Sequence, residues 1–311
     1  MPSQCQTVLD QQQEEDDVYL ALARADSQKQ ALTIALGDIA NQLEMAIRSE
    51  ASVVSSKQDG VSKQTFNHHI TSISDFVFDD YQLVCQDHVR HEVLVRYDNR
   101  PLTERLRSTL AREYWQRGWD IDQDTSLAKT PVLQAISALP GPNPVTLTPR
   151  VYRDSRGWRL ALGPQVIRLR KEEWRELFSL PPSTAGDSSL TIVDEQGRNL
   201  AHALYHEQEF RFRLTGFPQS ARFFSLFYIS ADAEVTAVRL NRPLTSKETT
   251  IIPALGIFSI ELPSGYERIV DDYVVVVSRN TLAPPASPWL FNGWETLFQE
   301  HPAFGLRLIV R

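Results

Sequence analysis

The sequence predicts an α+β protein. Three observations carry the prediction: one long amphipathic stripe near the N-terminus, strand-type alternation behind it, and a string of short strand signals from Leu190 to Ser278. In the stripe, Leu32, Ala35, Leu36, Ile39, Leu43, Ala46 and Ile47 recur at helical spacing and make one apolar face. Ala21 and Ala25 extend the pattern backwards, and small side chains of this kind let a helix lie close on a sheet. The period then changes. Ala51 to Ser56 reads as a short strand, and Phe66 to Cys85 alternates through Ile70, Phe76 and Phe78 before shifting phase to Tyr81, Leu83 and Cys85. His91 to Tyr97, with Val93 and Val95 on one face, is a third. A long helix packed on a small antiparallel sheet is the expected arrangement.

Asn99 and Pro101 open a second helix, because proline is tolerated in a first turn that has no N–H partner anyway. Leu102, Leu106, Leu110 and Tyr114 are its apolar side, and Pro131 to Leu139 is a further helical piece. Pro140-Gly141-Pro142-Asn143-Pro144 reads as a linker. A small β-rich middle segment follows over 145–180: Val145 to Tyr152 and Trp158 to Leu162 flank an Asp154-Ser155-Arg156-Gly157 turn, Gln165 to Leu169 adds a strand, and Lys171 to Phe178 is helical. Leu180 to Gly186 is a second linker. Seven short strand signals beyond it predict an all-β sandwich, closed by a short helix at Trp289 to Phe298 and a last strand at Leu306 to Arg311. The expected domains are a flexible tail at 1–16, an α+β domain at 17–139, the middle segment at 145–180 and the sandwich at 187–311.

Composition narrows the function classes. A formal charge of −7 disfavours a nucleic-acid partner, since that affinity is built from clustered cations. No run reaches the roughly 18 apolar residues that cross a bilayer, and no basic-apolar leader opens the chain. Met1-Pro2-Ser3-Gln4-Cys5 lacks the apolar stretch of a lipoprotein signal, so Cys5 is not expected to carry lipid. With Cys5 and Cys85 as the only cysteines, either a single bridge or two separate thiols is open. His202 and His206 stand four apart as in helical zinc sites, but they enter a strand pattern and the HExxH order is absent. Adjacent His68 and His69 would point to opposite strand faces. There is no nucleophile elbow, phosphate-binding loop or dinucleotide fingerprint. The reading is a chain with no catalytic, cofactor-binding or metal-ligating residues, and hence not an enzyme.

The aromatic residues of the C-terminal module carry more. Phe210, Phe212, Phe223, Phe224, Phe227 and Tyr228 include sequence neighbours that must fall on opposite faces, so they outnumber the places on one buried side. Phe210, Phe212, Phe224 and Tyr228 are therefore candidates for a partner surface. Trp115, Trp119, Trp158 and Trp289 are candidates for a stacking platform for a glycan or small ligand.

Two family resemblances add to this. Ala21 to Ser56, with Ala-x3-Ala-x5-Ala-Leu, Ile39-Ala40-Asn41-Gln42-Leu43 and Ala51-Ser52-Val53-Val54-Ser55-Ser56, resembles the bacterial twenty-kilodalton lipoprotein family, which includes outer-membrane proteins of flagellar assembly. Residues 190–285, with Phe210-Arg211-Phe212, Phe223 to Val235, Asn241, Ile252-Pro253, Pro263-Ser264-Gly265 and Val277-Ser278, resemble the domain of unknown function 4384, found in envelope proteins. The family's leader and lipid-anchoring cysteine are not evident in this sequence, and Asp232-Ala233 stands where Asp-Gly is usual. The resemblance implies export to the periplasm or outer-membrane periphery, a Cys5–Cys85 disulfide and no catalytic residues, and it leaves membrane attachment open. The expected function is a cell-envelope assembly or scaffold protein of a flagellar or secretion apparatus, oligomeric or not, that binds other envelope proteins. The alternative is a periplasmic glycan- or small-ligand-binding protein.

Overall fold

A computed structural model describes residues 3–12, 17–55, 81–136, 138–170, 172–244, 249–251, 257–262 and 268–311. The chain forms two compact units, Met1–Gln116 and Arg117–Arg311, and combines helices with several small sheets, as the α+β class requires.

The first unit begins with helix α1 (Gln4–Asp10), then strand β1 (Val18–Arg24), helix α2 (Gln28–Ser55), strands β2 (Gln82–Asp87) and β3 (Glu92–Asp98), and helix α3 (Leu102–Tyr114). The strands form an antiparallel sheet in the order β1-β3-β2. One face of α2 meets it: Ala31, Ala35, Ile39 and Leu43 pack on Ala21, Ala23, Val93, Val95 and Tyr97. Two expectations are corrected here. Ala21 belongs to a strand and Ala25 to the turn after it, because Tyr19, Ala21 and Ala23 alternate with period two and Ser27, whose Oγ accepts from the Gln30 N–H at 3.3 Å, starts the helix afresh. Ala51 to Ser55 continues α2, since no glycine or proline falls between Leu43 and Ser55 and a growing helix adds one bond per residue. The alternation at Phe66, Ile70, Phe76 and Phe78, and with it His68 and His69, lies outside the described residues.

Residues 1–16 were expected to form a flexible tail. Within them α1 is a capped helix: Ser3 Oγ accepts from the Gln6 N–H at 3.0 Å, and Cys5 is wholly buried. Cys5 is bonded to Cys85 in the edge strand β2, with Cα atoms 5.4 Å apart.

The second unit opens with a small sheet of β4 (Trp119–Ile121), β5 (Ala138–Leu139) and β6 (Val145–Leu147), with helix α4 (Pro131–Ala135) between β4 and β5. The run Pro140 to Pro144 joins two strands of this one sheet. Gly118 and Gly141 let it turn there, since a Cβ on either would strike the backbone of the other's segment. A three-stranded meander follows: β7 (Pro149–Asp154), β8 (Gly157–Leu162) and β9 (Gln165–Arg168). A short 3₁₀ turn then spans Glu173–Glu176.

The remaining strands are β10 (Thr184–Ala185), β11 (Ser188–Val193), β12 (Ala203–Leu204), β13 (Glu209–Thr215), β14 (Phe223–Ile229), β15 (Val235–Pro243), β16 (Thr249–Ile251), β17 (Phe258–Ser259), β18 (Ile269–Ser278) and β19 (Ala303–Val310), with helix α5 (Glu295–Glu300) before the last. One sheet runs β10-β11-β13-β16 with β17 also on β13, and the other runs β12-β19-β18-β14-β15. They share one core of Leu190, Ile192, Phe210, Phe212 and Leu214 from the first sheet and Phe224, Leu226, Val275, Val277, Phe304 and Leu306 from the second.

Candidate functional site

The aromatic residues proposed as a partner surface do not form one. Phe210, Phe212 and Phe224 are at most 2% exposed and lie between the two sheets, and Tyr228 is half-buried beside Tyr273 at a ring separation of 5.4 Å. The excess of aromatics has a different outlet. Phe227 points out of the opposite face of β14, where Trp294 and Phe298 cover it with ring centroids 5.1 and 5.6 Å away. Phe178 extends this layer to Trp174. The second face of the sheet is thus buried by segments of the same chain, about fifty residues before it and seventy after it in sequence.

The candidate tryptophans divide similarly. Trp119 is buried and donates its indole N–H to the Ile136 carbonyl at 2.9 Å. Trp158 is buried, donates to the Asp232 carbonyl at 2.8 Å and meets Trp289 and Phe291 edge-on. Trp289 is half-buried with the Arg153 guanidinium 3.9 Å over its ring. Trp115, 68% exposed, is left with an open ring.

Among the described residues, charged groups converge on the adjacent Asp271 and Asp272. Both lie on β18 and point to opposite faces. Asp272 is fully buried and accepts from Arg175 Nε and Arg307 Nε, both at 2.7 Å. Arg175 also donates to the Val270 carbonyl at 2.8 Å and lies 2.8 Å from Glu172. On the other face Asp271 accepts from the Tyr228 hydroxyl at 3.0 Å. Burial pushes the Asp271 carboxyl above the usual range despite that hydrogen bond, and burial with the Asp271 charge pushes the Tyr228 phenol up. With a guanidinium on each oxygen, Asp272 ties the 3₁₀ turn to the sheet. The signal was present in sequence only as an acidic pair in a strand of valines, where a charge needs a partner.

Among the described residues no group of three or more His, Cys, Asp and Glu side chains comes together to hold a metal ion, and no helix is long and apolar enough to cross a membrane. His202 and His206 flank the two-residue β12 and are exposed, with His206 Nδ1 accepting from the Leu262 N–H at 2.9 Å.

Two surface depressions among the described residues are candidate binding sites. In the second unit a hollow of about 410 Å³ is lined by Arg279, Asn280, Pro285, Thr296, Glu300 and His301 among others. In the first unit a groove of about 460 Å³ runs from the end of β1 along the first turns of α2, lined by Arg24, Ala25, Lys29, Gln30, Thr33 and Ile34. It lies against an edge strand and contains Ile34, an aliphatic side chain 48% exposed. Comparison with protein-family models, curated proteins and solved structures returned no match.

Proposed function

We propose that this chain is a non-catalytic protein-binding module of the cell envelope, acting in the periplasm or at the periphery of the outer membrane in the assembly of a larger apparatus. The observation that carries the reading is the Cys5–Cys85 bridge, because disulfides persist in oxidising compartments and are rare where glutathione keeps thiols reduced. The bridge draws an eighty-residue loop onto one small sheet, the kind of reinforcement a small exported domain uses in place of a larger core. The use of the charged cluster as a strut and the presence of a groove beside a sheet edge favour a binding role over chemistry. The glycan-binding alternative loses Trp119 and Trp158 as stacking faces, since both indoles are committed to internal packing.

Chemical crosslinking in cells followed by mass spectrometry tests the proposal. It predicts specific envelope proteins joined to this chain, and two cysteines that resist alkylation until a reductant is added. A monodisperse monomer that captures no partner, with two free thiols under denaturing conditions, would refute it.

A further inference from the structure

Of the eight asparagines in the sequence, Asn292 alone is followed by glycine. An Asn-Gly pair carries its own chemistry, because the next backbone nitrogen can close a five-membered ring on the side-chain amide and glycine has no Cβ to hinder the approach. The Gly293 nitrogen loses its proton to hydroxide and bonds to Asn292 Cγ. The Cγ–Nδ2 bond breaks, and the amide nitrogen leaves as ammonia with a proton from water. Water then opens the imide at either carbonyl, giving aspartate or, with an extra methylene in the main chain, isoaspartate. One water is consumed and one ammonia released, with no oxidant and no cofactor.

The turn that carries the pair needs both residues. Gly293 sits at a φ of 106°, a left-handed value that strains any other residue. Asn292 is exposed, and its Nδ2 donates to Ser287 Oγ at 2.9 Å. The same turn is pinned from several sides. Asn292 N–H donates to the Trp289 carbonyl at 3.0 Å, Gly293 N–H to Glu295 Oε2 at 3.2 Å, and Trp294 Nε1 to the Ser287 carbonyl at 2.7 Å. Leu290 N–H donates to Ala233 O and Val235 N–H to Pro288 O, which ties the segment to the strands beside it. In this arrangement the ring cannot close. In an L residue Cβ stands a third of a turn from the backbone nitrogen about the Cα–C bond, so the Asn292 ψ of 44° sets Gly293 N nearly anti to Cβ. The imide needs the two almost eclipsed, with the reacting atoms in contact. Both reacting groups are also held, the leaving amide by Ser287 and the proton on the nucleophile by Glu295.

We infer that Asn292 is a guarded deamidation site: the turn at 287–295 holds it unreactive while closed, and conversion to aspartate or isoaspartate marks chains in which that turn has opened. Opening means breaking the Asn292–Ser287 and Gly293–Glu295 bonds so that ψ can swing round. The isoaspartate product makes the opening permanent, because the added methylene separates the two backbone amides whose bonds to Trp289 and Glu295 close the turn. Trp294, next in the chain, covers Phe227 on β14, so conversion loosens the layer over the second face of that sheet. This site belongs to the second unit alone and does not depend on the proposed binding role.

The test follows conversion by peptide mass mapping of the full chain at mildly alkaline pH, beside a synthetic peptide of residues 287–298 and the same chain in urea. With one charge-assisted and one neutral hydrogen bond to break, the folded chain should convert about thirtyfold or more slowly than the peptide, and the chain in urea should match the peptide. Ser287→Ala removes the acceptor of the Asn292 amide and should speed conversion of the folded chain about threefold or more, and Glu295→Ala about tenfold or more. Unchanged amide exchange along β18 shows that a variant is still folded. Where Glu295→Ala fails that check, Ser287→Ala decides the matter. Chains isolated as isoaspartate should unfold at a lower urea concentration than unconverted ones. The inference is overturned if the folded chain and the peptide convert at one rate, or if Ser287→Ala leaves the folded rate unchanged. It is overturned equally if a folded Glu295→Ala variant converts more slowly, which would make the carboxylate a base that activates Gly293 and not its anchor. Isoaspartate chains as stable as unconverted ones would show that the turn closes again, and would overturn the record of opening.

Discussion

Removing the disulfide is the perturbation whose magnitude follows most directly from the structure. Cys5 and Cys85 are separated by 80 residues. In the chain-entropy treatment, opening a loop of that length returns about 15 cal/mol/K to the unfolded ensemble, or about 4.5 kcal/mol at 25 °C. Native contacts offset little of this, because Cys5 is the only buried side chain of α1 itself and a seven-residue helix is marginal by itself. The Cys5→Ser, Cys85→Ser double variant should therefore lose roughly three orders of magnitude in the closed-to-open ratio of the first unit. Trp115 is the one tryptophan of that unit, so fluorescence is a weak probe, and amide exchange of Val93 to Tyr97 in β3 is the better assay. These amides should exchange up to about a thousandfold faster in the variant, and those of β18 should not change. Acceleration of less than about tenfold would mean that α1 is held by its packing, and the reasoning would fail.

Other outcomes follow from the second unit. Asp272→Ala leaves Arg175 and Arg307 without their shared carboxylate and should destabilise this unit by about 3–5 kcal/mol in urea unfolding followed by tryptophan fluorescence. Tyr228 and Tyr273 have phenols raised above their unfolded value, so the unfolded chain ionises first as the medium turns alkaline. Stability from this pair is complete below about pH 10 and declines above it, and Tyr228→Phe should flatten that decline in a melting-temperature series. Gly216→Ala forces a Cβ onto the Asp187 carbonyl at a left-handed φ of 65°, and should lower stability by more than about 1 kcal/mol by the same urea assay.

How far the sequence was readable depended on how local the deciding contact was. Helix α3 was legible because Leu102, Leu106, Leu110 and Tyr114 declare one face within thirteen residues. The hairpin β7–β8 was legible because Asp154 caps its own turn, its carboxylate accepting from the Arg156 N–H at 2.7 Å. Strand β1 was misread as helix because alanines at 21 and 25 fit a four-residue spacing as well as a two-residue one, and only pairing with β3 decides between them. The valines at 53 and 54 suggested a strand, yet the helix already running through Leu43 carries them along. The aromatic surplus of β14 was counted correctly, but its cover comes from Trp174, Phe178, Trp294 and Phe298, positions that no local pattern links to Phe227. Asp272 was invisible as a strut for the same reason, since Arg175 and Arg307 reach it from 97 and 35 residues away.

The claim at the centre of this account is that the chain works by holding other proteins in an oxidising envelope compartment. In-cell crosslinking with alkylation of free thiols before lysis measures both halves at once. The account predicts a chain with no alkylated cysteine, joined to specific envelope proteins. A chain alkylated at Cys5 and Cys85 and recovered without any partner would contradict it.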